Sequence, residues 1–175
     1  MKKTRTDWIL AVMNVLAWIV FIGCMVEAGG VLFGWVYSFW QPLAANDIFP
    51  HQDYHLLRDF SLAQFSVAVF LTAAVMLFAG YTAYLVILVL SRIKLSNPFT
   101  MDIALRLERI SYFLVATWVV AMLKDIHSHW LEDRVPGLKV ATFSGDFIIT
   151  AGIVFVFAQI FKKGVELQTE NELTV

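Results

Sequence analysis

The sequence predicts an all-α integral membrane protein, a four-helix bundle with its N-terminus and C-terminus in the cytoplasm. Three observations predict this fold class. Hydrophobic residues make up 59% of the 175-residue chain, whereas soluble domains usually contain roughly 45–50%. These residues fall in four blocks separated by short charged segments, which is typical of membrane spans. Lys and Arg are also divided unequally between the two faces that an even number of spans creates.

The four predicted spans differ in length and polarity. Since lipid offers no hydrogen bonds to the main chain, each span is expected to be a helix. The third is the weakest, because its purely apolar part, residues 110–123, is only about 14 residues long. It can cross a bilayer if Arg109 and Lys124 extend toward the two interfaces. The predicted spans cover approximately residues 8–28, 62–90, 104–124 and 146–162.

The segments between the spans set the predicted orientation. The outer face would hold residues 29–61 and 125–145, and the inner face the loop 91–103 and the tail 163–175. Of the 13 Lys and Arg residues, nine would lie inside and four outside, which is the positive-inside arrangement. The four outer residues are Arg58, Lys124, Arg134 and Lys139. Residues 31–40 are rich in aromatic side chains, and they either extend the first helix or lie in the outer interface.

Composition and motifs exclude several functional classes. The sequence contains no nucleophile elbow, phosphate-binding loop, Cys-x-x-Cys or His-Glu-x-x-His motif. A net charge of −1 gives no basis for direct binding to nucleic acid. Cys24 is the only cysteine, so an intrachain disulfide is impossible. We therefore expect a non-enzymatic protein without a resident cofactor.

The histidines support an alternative function. All four would lie on the outer face, and His51 and His55 are spaced so that a helix would place them on one side. Imidazole groups with nearby carboxylates could bind a metal ion or haem. No histidine falls inside a predicted span, which argues against a membrane cytochrome, and solvated loop histidines are the ordinary interpretation. The candidate ligands are His51, His55, His127 and His129.

Polar residues within and beside the spans are few. We expect Asn14 and Gln64 to bond across helices. Glu27 and Asp146 are expected near the outer boundary, where they would fix helix ends. Because none of the spans has a charged residue in its interior, a transporter has little support. A channel, transporter or membrane-complex assembly subunit, acting as a homo-oligomer, remains a second alternative.

The predicted inner face offers two segments to a soluble partner. The inner loop contains the turn sequence Asn97-Pro98-Phe99. The tail places apolar residues in an acidic stretch, which suits docking on a cytoplasmic protein. The candidate residues in the tail are Glu166, Leu167 and Leu173.

Two segments carry a family resemblance. Residues 97–100 read Asn-Pro-Phe-Thr and are followed by Ala-Leu-Arg-Leu at 104–107; residues 151–168 and 170–175 form the more specific segment. They resemble a bacterial family of four-span membrane proteins that is catalogued as a domain of unknown function. The resemblance implies a multi-pass protein of the bacterial inner membrane. Its members are often encoded beside a small Cro/repressor-type helix-turn-helix regulator, which implies a membrane sensor or anchor for a transcription regulator.

Overall fold

A computed structural model describes residues 5–41, 54–93, 100–138 and 147–173. Within these residues the regular secondary structure is entirely helical, as the apolar blocks predicted. The helices are α1 (Arg5–Tyr37), α2 (Tyr54–Phe60), α3 (Leu62–Arg92), α4 (Met101–Glu132) and α5 (Phe147–Leu173).

The long helices pack in chain order. Helix α1 packs on α3, α3 on α4, and α4 on α5, while the short α2 lies against α3. Among the described residues, α1 and α5 do not contact each other, so the bundle is an open row with α3 and α4 in the middle. We call the end that carries α2 the α2 end. The end where α1 begins and α5 finishes is called the terminal end.

Three of the described helices are long and apolar enough to cross a bilayer. They are the segments Arg5–Tyr37, Leu62–Arg92 and Ile148–Glu170. With many large apolar side chains exposed on α1 and α5, these segments make the protein membrane-embedded. Helix α4 is long enough but does not share this apolar composition. The fourth span and the orientation of the termini therefore stay predictions.

The helices extend beyond the predicted spans. Helix α1 continues through two adjacent glycines to Tyr37, so residues 31–37 extend it, which is one of the two alternatives predicted for this segment. The last predicted span ends at residue 162, but α5 continues through Gly164 to Leu173, because a single glycine weakens a helix by only about 1 kcal/mol. Helix α4 likewise runs past Lys124 to Glu132.

Two helix starts have side-chain caps. Ser61 precedes α3, and its hydroxyl accepts a hydrogen bond from the Gln64 amide at 3.5 Å. Thr100 precedes α4, and its hydroxyl accepts from the Ile103 amide at 3.4 Å. Each cap satisfies an amide that has no partner in the first turn.

Small residues lie where each edge helix packs on its neighbour, α1 on α3 and α5 on α4. On α5 the buried residues include Ala151 and Ala158, seven positions apart. On α3, a Cβ at Gly80 would collide with the Met25 side chain and lie 3.3 Å from Cβ of Cys24. Absence of a side chain at Gly80 thus lets α1 approach α3 closely, as small residues do in other membrane bundles.

Two apolar clusters lie in the bundle. The α2-end cluster joins α2, the start of α3 and the end of α4, and its buried members are Leu57, Phe65, Ala68, Val69, Leu131, Val135 and Leu138. Val31 and Trp35 of α1 pack against it. The central cluster joins α3, α4 and α5 through Leu85, Val89, Ile103, Ile110, Leu114 and Ala151. The α2-end cluster therefore packs against α1, and the central cluster includes a residue of α5.

Candidate functional site

His127 links the two central helices at the α2 end. It lies one helical turn beyond Leu123, and its Nε2 is 2.8 Å from Oε1 of Gln64 on α3. The ring also stacks on Trp130 with 6.2 Å between centroids. The Arg134 guanidinium lies 3.8 Å above the Trp130 ring, a cation–π contact. A stack of three side chains thus covers this end of α4.

The environment of His127 favours the neutral imidazole. Burial lowers the pKa of His127 below its ordinary value, because desolvation disfavours the charged form. In the neutral Nε2–H tautomer the ring donates a hydrogen bond to the Gln64 amide oxygen. Gln64 was predicted to bond across helices, and its partner in the structure is this histidine.

The other described histidines lie apart from His127. His55 lies on α2, and its Nδ1 is buried with no hydrogen-bond partner among the described residues; Nε of Arg58 is in the same state. His129 is 65% exposed, and its Nδ1 lies 3.3 Å from Oε2 of Glu132. Two positions apart on a helix, the side chains of His127 and His129 point to different sides.

The proposed four-histidine metal or haem site stays a prediction. Across the described ranges of the chain, no group of three or more His, Cys, Asp or Glu side chains is arranged to hold a metal ion. His51 lies outside the described residues.

Glu108 and Lys162 link α4 to α5 toward the terminal end. Lys162 Nζ donates to Oε2 of Glu108 at 2.8 Å. The Tyr112 hydroxyl donates to Oε1 of the same carboxylate at 3.3 Å. Charge-assisted bonds of this kind are about twice as strong as neutral ones. Glu108 therefore holds α5 at a defined height against α4.

Sequence analysis did not single out this pair. The sequence does contain a pattern that indicates such a pair, because an acidic residue lies near the start of one span and a basic residue at the end of the next. Two antiparallel neighbours bring such residues to the same level, but only the packing fixes which carboxylate meets which ammonium group.

Helix α5 extends past this pair by about three turns. Lys163 Nζ lies 2.9 Å from Oε2 of Glu166. Leu167 is a large apolar side chain with 49% of its surface exposed. The predicted partner-binding residues Glu166 and Leu167 thus lie on the surface of a helix, and Leu173 is its last residue. Asn97, Pro98 and Phe99 lie outside the described residues.

The remaining predicted polar residues occupy different positions on the row. Asn14 is half-buried on α1, and Glu27 is exposed on the same helix. Asp146 lies outside the described residues. A polar contact that sequence analysis missed joins α1 to α3, where Trp35 Nε1 donates to Oγ of Ser66 at 2.9 Å.

A protein-family model matches nearly the whole chain. The family model described as "Protein of unknown function (DUF2975)" matches residues 3–175. No curated protein and no solved structure matches the chain.

Proposed function

The chain belongs to this family of unknown function, and from that premise we propose that it is a non-enzymatic regulatory or sensory protein that engages a cytoplasmic partner through α5. The family membership confirms part of the resemblance seen in the sequence. We also propose that the cytoplasmic partner is a transcription regulator.

One observation carries the proposal: α5 is a single continuous helix from the apolar row to an exposed polar extension. A continuous helix transmits a shift or rotation along its length, because its backbone hydrogen bonds keep it stiff. Changes in the packing of α4 against α5 would therefore reach Glu166 and Leu167. An exposed leucine among acidic residues suits the apolar groove of a soluble protein with a basic rim.

The proposed topology places this extension in the cytoplasm. We propose four spans in a bacterial inner membrane, with α4 as the third. Helix α4 has 32 residues, about 48 Å of helix, and it packs on two apolar helices, α3 and α5. Nine of 13 basic residues then lie inside. A tag after Val175 should be inaccessible from outside intact cells; accessibility there would contradict this topology.

The partner-binding surface can be tested by photo-crosslinking in cells. A photoreactive residue at Leu167 should form one discrete crosslinked product. The matched control is Thr169, which is also exposed but lies on another side of the helix. Equal crosslinking at both positions, or none at Leu167, would show that the extension has no specific binding face.

The regulatory role can be tested by transcript profiling. Deletion of the whole gene should change a defined set of transcripts, and truncation after Lys163 should change the same set. If the full deletion changes no transcripts, the regulatory role is wrong. If only the truncation has no effect, the role assigned to the extension is wrong.

Coupling through the Glu108–Lys162 pair has its own test. The variants Glu108→Lys and Lys162→Glu should each reduce crosslinking from Leu167, and the double variant with exchanged charges should restore it. Arg106→Ala is the control, because the Arg106 side chain is paired with Asp102 on the same helix, α4. Failure of the exchanged pair to restore crosslinking would argue that the two residues act separately.

A further inference from the structure

Glu27 lies at the level of the middle of α3. Two contacts give the antiparallel register of α1 on α3: Trp35 Nε1 bonds to Ser66 Oγ, and Met25 occupies the space beside Gly80. By this register Glu27 is level with approximately residue 77, the midpoint of Leu62–Arg92. The sequence alone predicted Glu27 near the outer boundary. The register of α1 on α3 places Glu27 closer to the middle of the bilayer than the sequence alone predicted.

The surroundings of Glu27 at this level are apolar. Helix α3 has no charged residue between Leu62 and Ser91. The Glu27 side chain is exposed on α1 and forms no hydrogen bond or ion pair with the described residues. Carboxylates at membrane depth are rare and normally face a partner or a water-filled cavity. An exposed carboxylate on the side of a membrane row therefore indicates a surface that another molecule covers.

The shape of α1 around Glu27 fits a second helix. Gly23, Glu27 and Gly30 are spaced four and three residues apart, so they lie along one side of α1. A Cβ at Gly23 or Gly30 would meet nothing within 4 Å. The same spacing continues to Val20 and Leu16, which line a 250 Å³ groove between α1 and α3. The result is a smooth strip on which another backbone can approach closely.

We propose that this strip, Leu16, Val20, Gly23, Glu27 and Gly30, docks a transmembrane helix of another membrane protein that carries Lys or Arg at mid-depth. Charge complementarity argues for this occupant, because a basic group is the partner that a carboxylate in lipid requires. The glycines on either side let that group reach Glu27 without displacing the helix.

A second copy of this chain is a poorer fit to the strip. A two-fold contact would place Glu27 opposite Glu27, since such interfaces pair the same surface patch. Basic residues of the described chain lie nearer the ends of the row, with Arg92, Arg109 and Lys162 toward the terminal end and Lys124 toward the α2 end. None is level with Glu27.

Model peptides in vesicles test this proposal. The probe is a leucine-rich transmembrane peptide of about 23 residues with one central Arg, and its control has Leu at that position. Association with the full-length protein is measured by energy transfer in vesicles of phosphatidylethanolamine and phosphatidylglycerol. We expect the Arg peptide to associate at least about tenfold more strongly than the Leu peptide, which corresponds to about 1.4 kcal/mol.

Substitutions on α1 complete the test. Glu27→Leu should abolish the preference for Arg, and Gly30→Leu should weaken binding of both peptides. Ile22→Leu should change neither, because Ile22 is exposed and is not three or four positions from any residue of the strip. Equal binding of the two peptides to the unmodified protein would overturn the proposal, as would a preference for Arg that survives Glu27→Leu. A homodimer that Glu27→Leu dissolves would assign the strip to a second copy and likewise overturn it.

Discussion

Helices α1 and α5 occupy the two edges of the row, and they are held there by different interactions. Helix α1 approaches α3 closely at Gly80, forms a neutral hydrogen bond from Trp35 to Ser66, and packs on the α2-end cluster. Helix α5 packs on α4 through alanines and the central cluster, and it is fixed by the charged pair Glu108–Lys162. Close apolar packing resists displacement more than a partly exposed ion pair does. The comparison indicates a fixed edge at α1 and an adjustable edge at α5.

The largest effect is expected in the α2-end cluster. Leu131→Ala should lower the free energy of unfolding by about 2–5 kcal/mol, because truncating a fully buried leucine leaves a cavity. It should loosen α1, whose Trp35 packs on this cluster, more than α5. Thermal unfolding in detergent measures the loss, and Leu123→Ala on the same helix is the control, since Leu123 is half exposed. Equal losses in the two variants would contradict the assigned role of the cluster.

A second effect separates the two edges directly. Gly80→Leu should destabilise the protein by about 1–3 kcal/mol, because the new side chain collides with Met25 and pushes α1 from α3. Gly152→Leu on α5 is the matched control, since a Cβ there meets nothing within 4 Å. Unfolding in detergent and energy transfer between labels on α1 and α3 report the change. A larger loss of stability in Gly152→Leu than in Gly80→Leu would show that α5, and not α1, is the more tightly packed edge.

The smallest effect is expected at His127, which links the two middle helices, α3 and α4. His127 has a lowered pKa because of burial, so the unfolded chain binds the proton more readily than the folded one. Stability should therefore fall as the pH drops below about 6.5, the ordinary pKa of histidine. The loss should stop once the pH is below the lowered pKa of the folded state. Unfolding measured from pH 8 to pH 5 tests this, with His127→Gln as the control; a variant with an unchanged pH profile would exclude His127 as the cause.

The sequence predicted the parts of the fold that follow from composition. Uninterrupted apolar runs predicted α1, α3 and α5. Helix α2 escaped prediction because its seven residues include His55 and Arg58 and have no clear periodicity. Continuation of α5 past Gly164 also escaped it, since a glycine signals a stop only where no packing or pairing opposes it.

The candidate sites were less predictable, because they depend on register. Glu27 and Gln64 could be recognised as polar residues in apolar helices, but their depth and partners come from how the helices are aligned. His127 was recognised as a histidine with ligand chemistry, and the packing gives it Gln64 instead of a second imidazole as a neighbour. The Glu108–Lys162 pair required the same information.

The modest apolarity of α4 has a consequence for biosynthesis under the proposed topology. A translocon admits a segment to lipid according to its own hydrophobicity, and charged residues in α4 oppose its entry. Helix α4 would then enter the membrane late, by packing against α3, which is already inserted. Its other side would be covered only after α5 has been synthesised. A chain arrested before α5 would leave uncovered the side of α4 that α5 packs against.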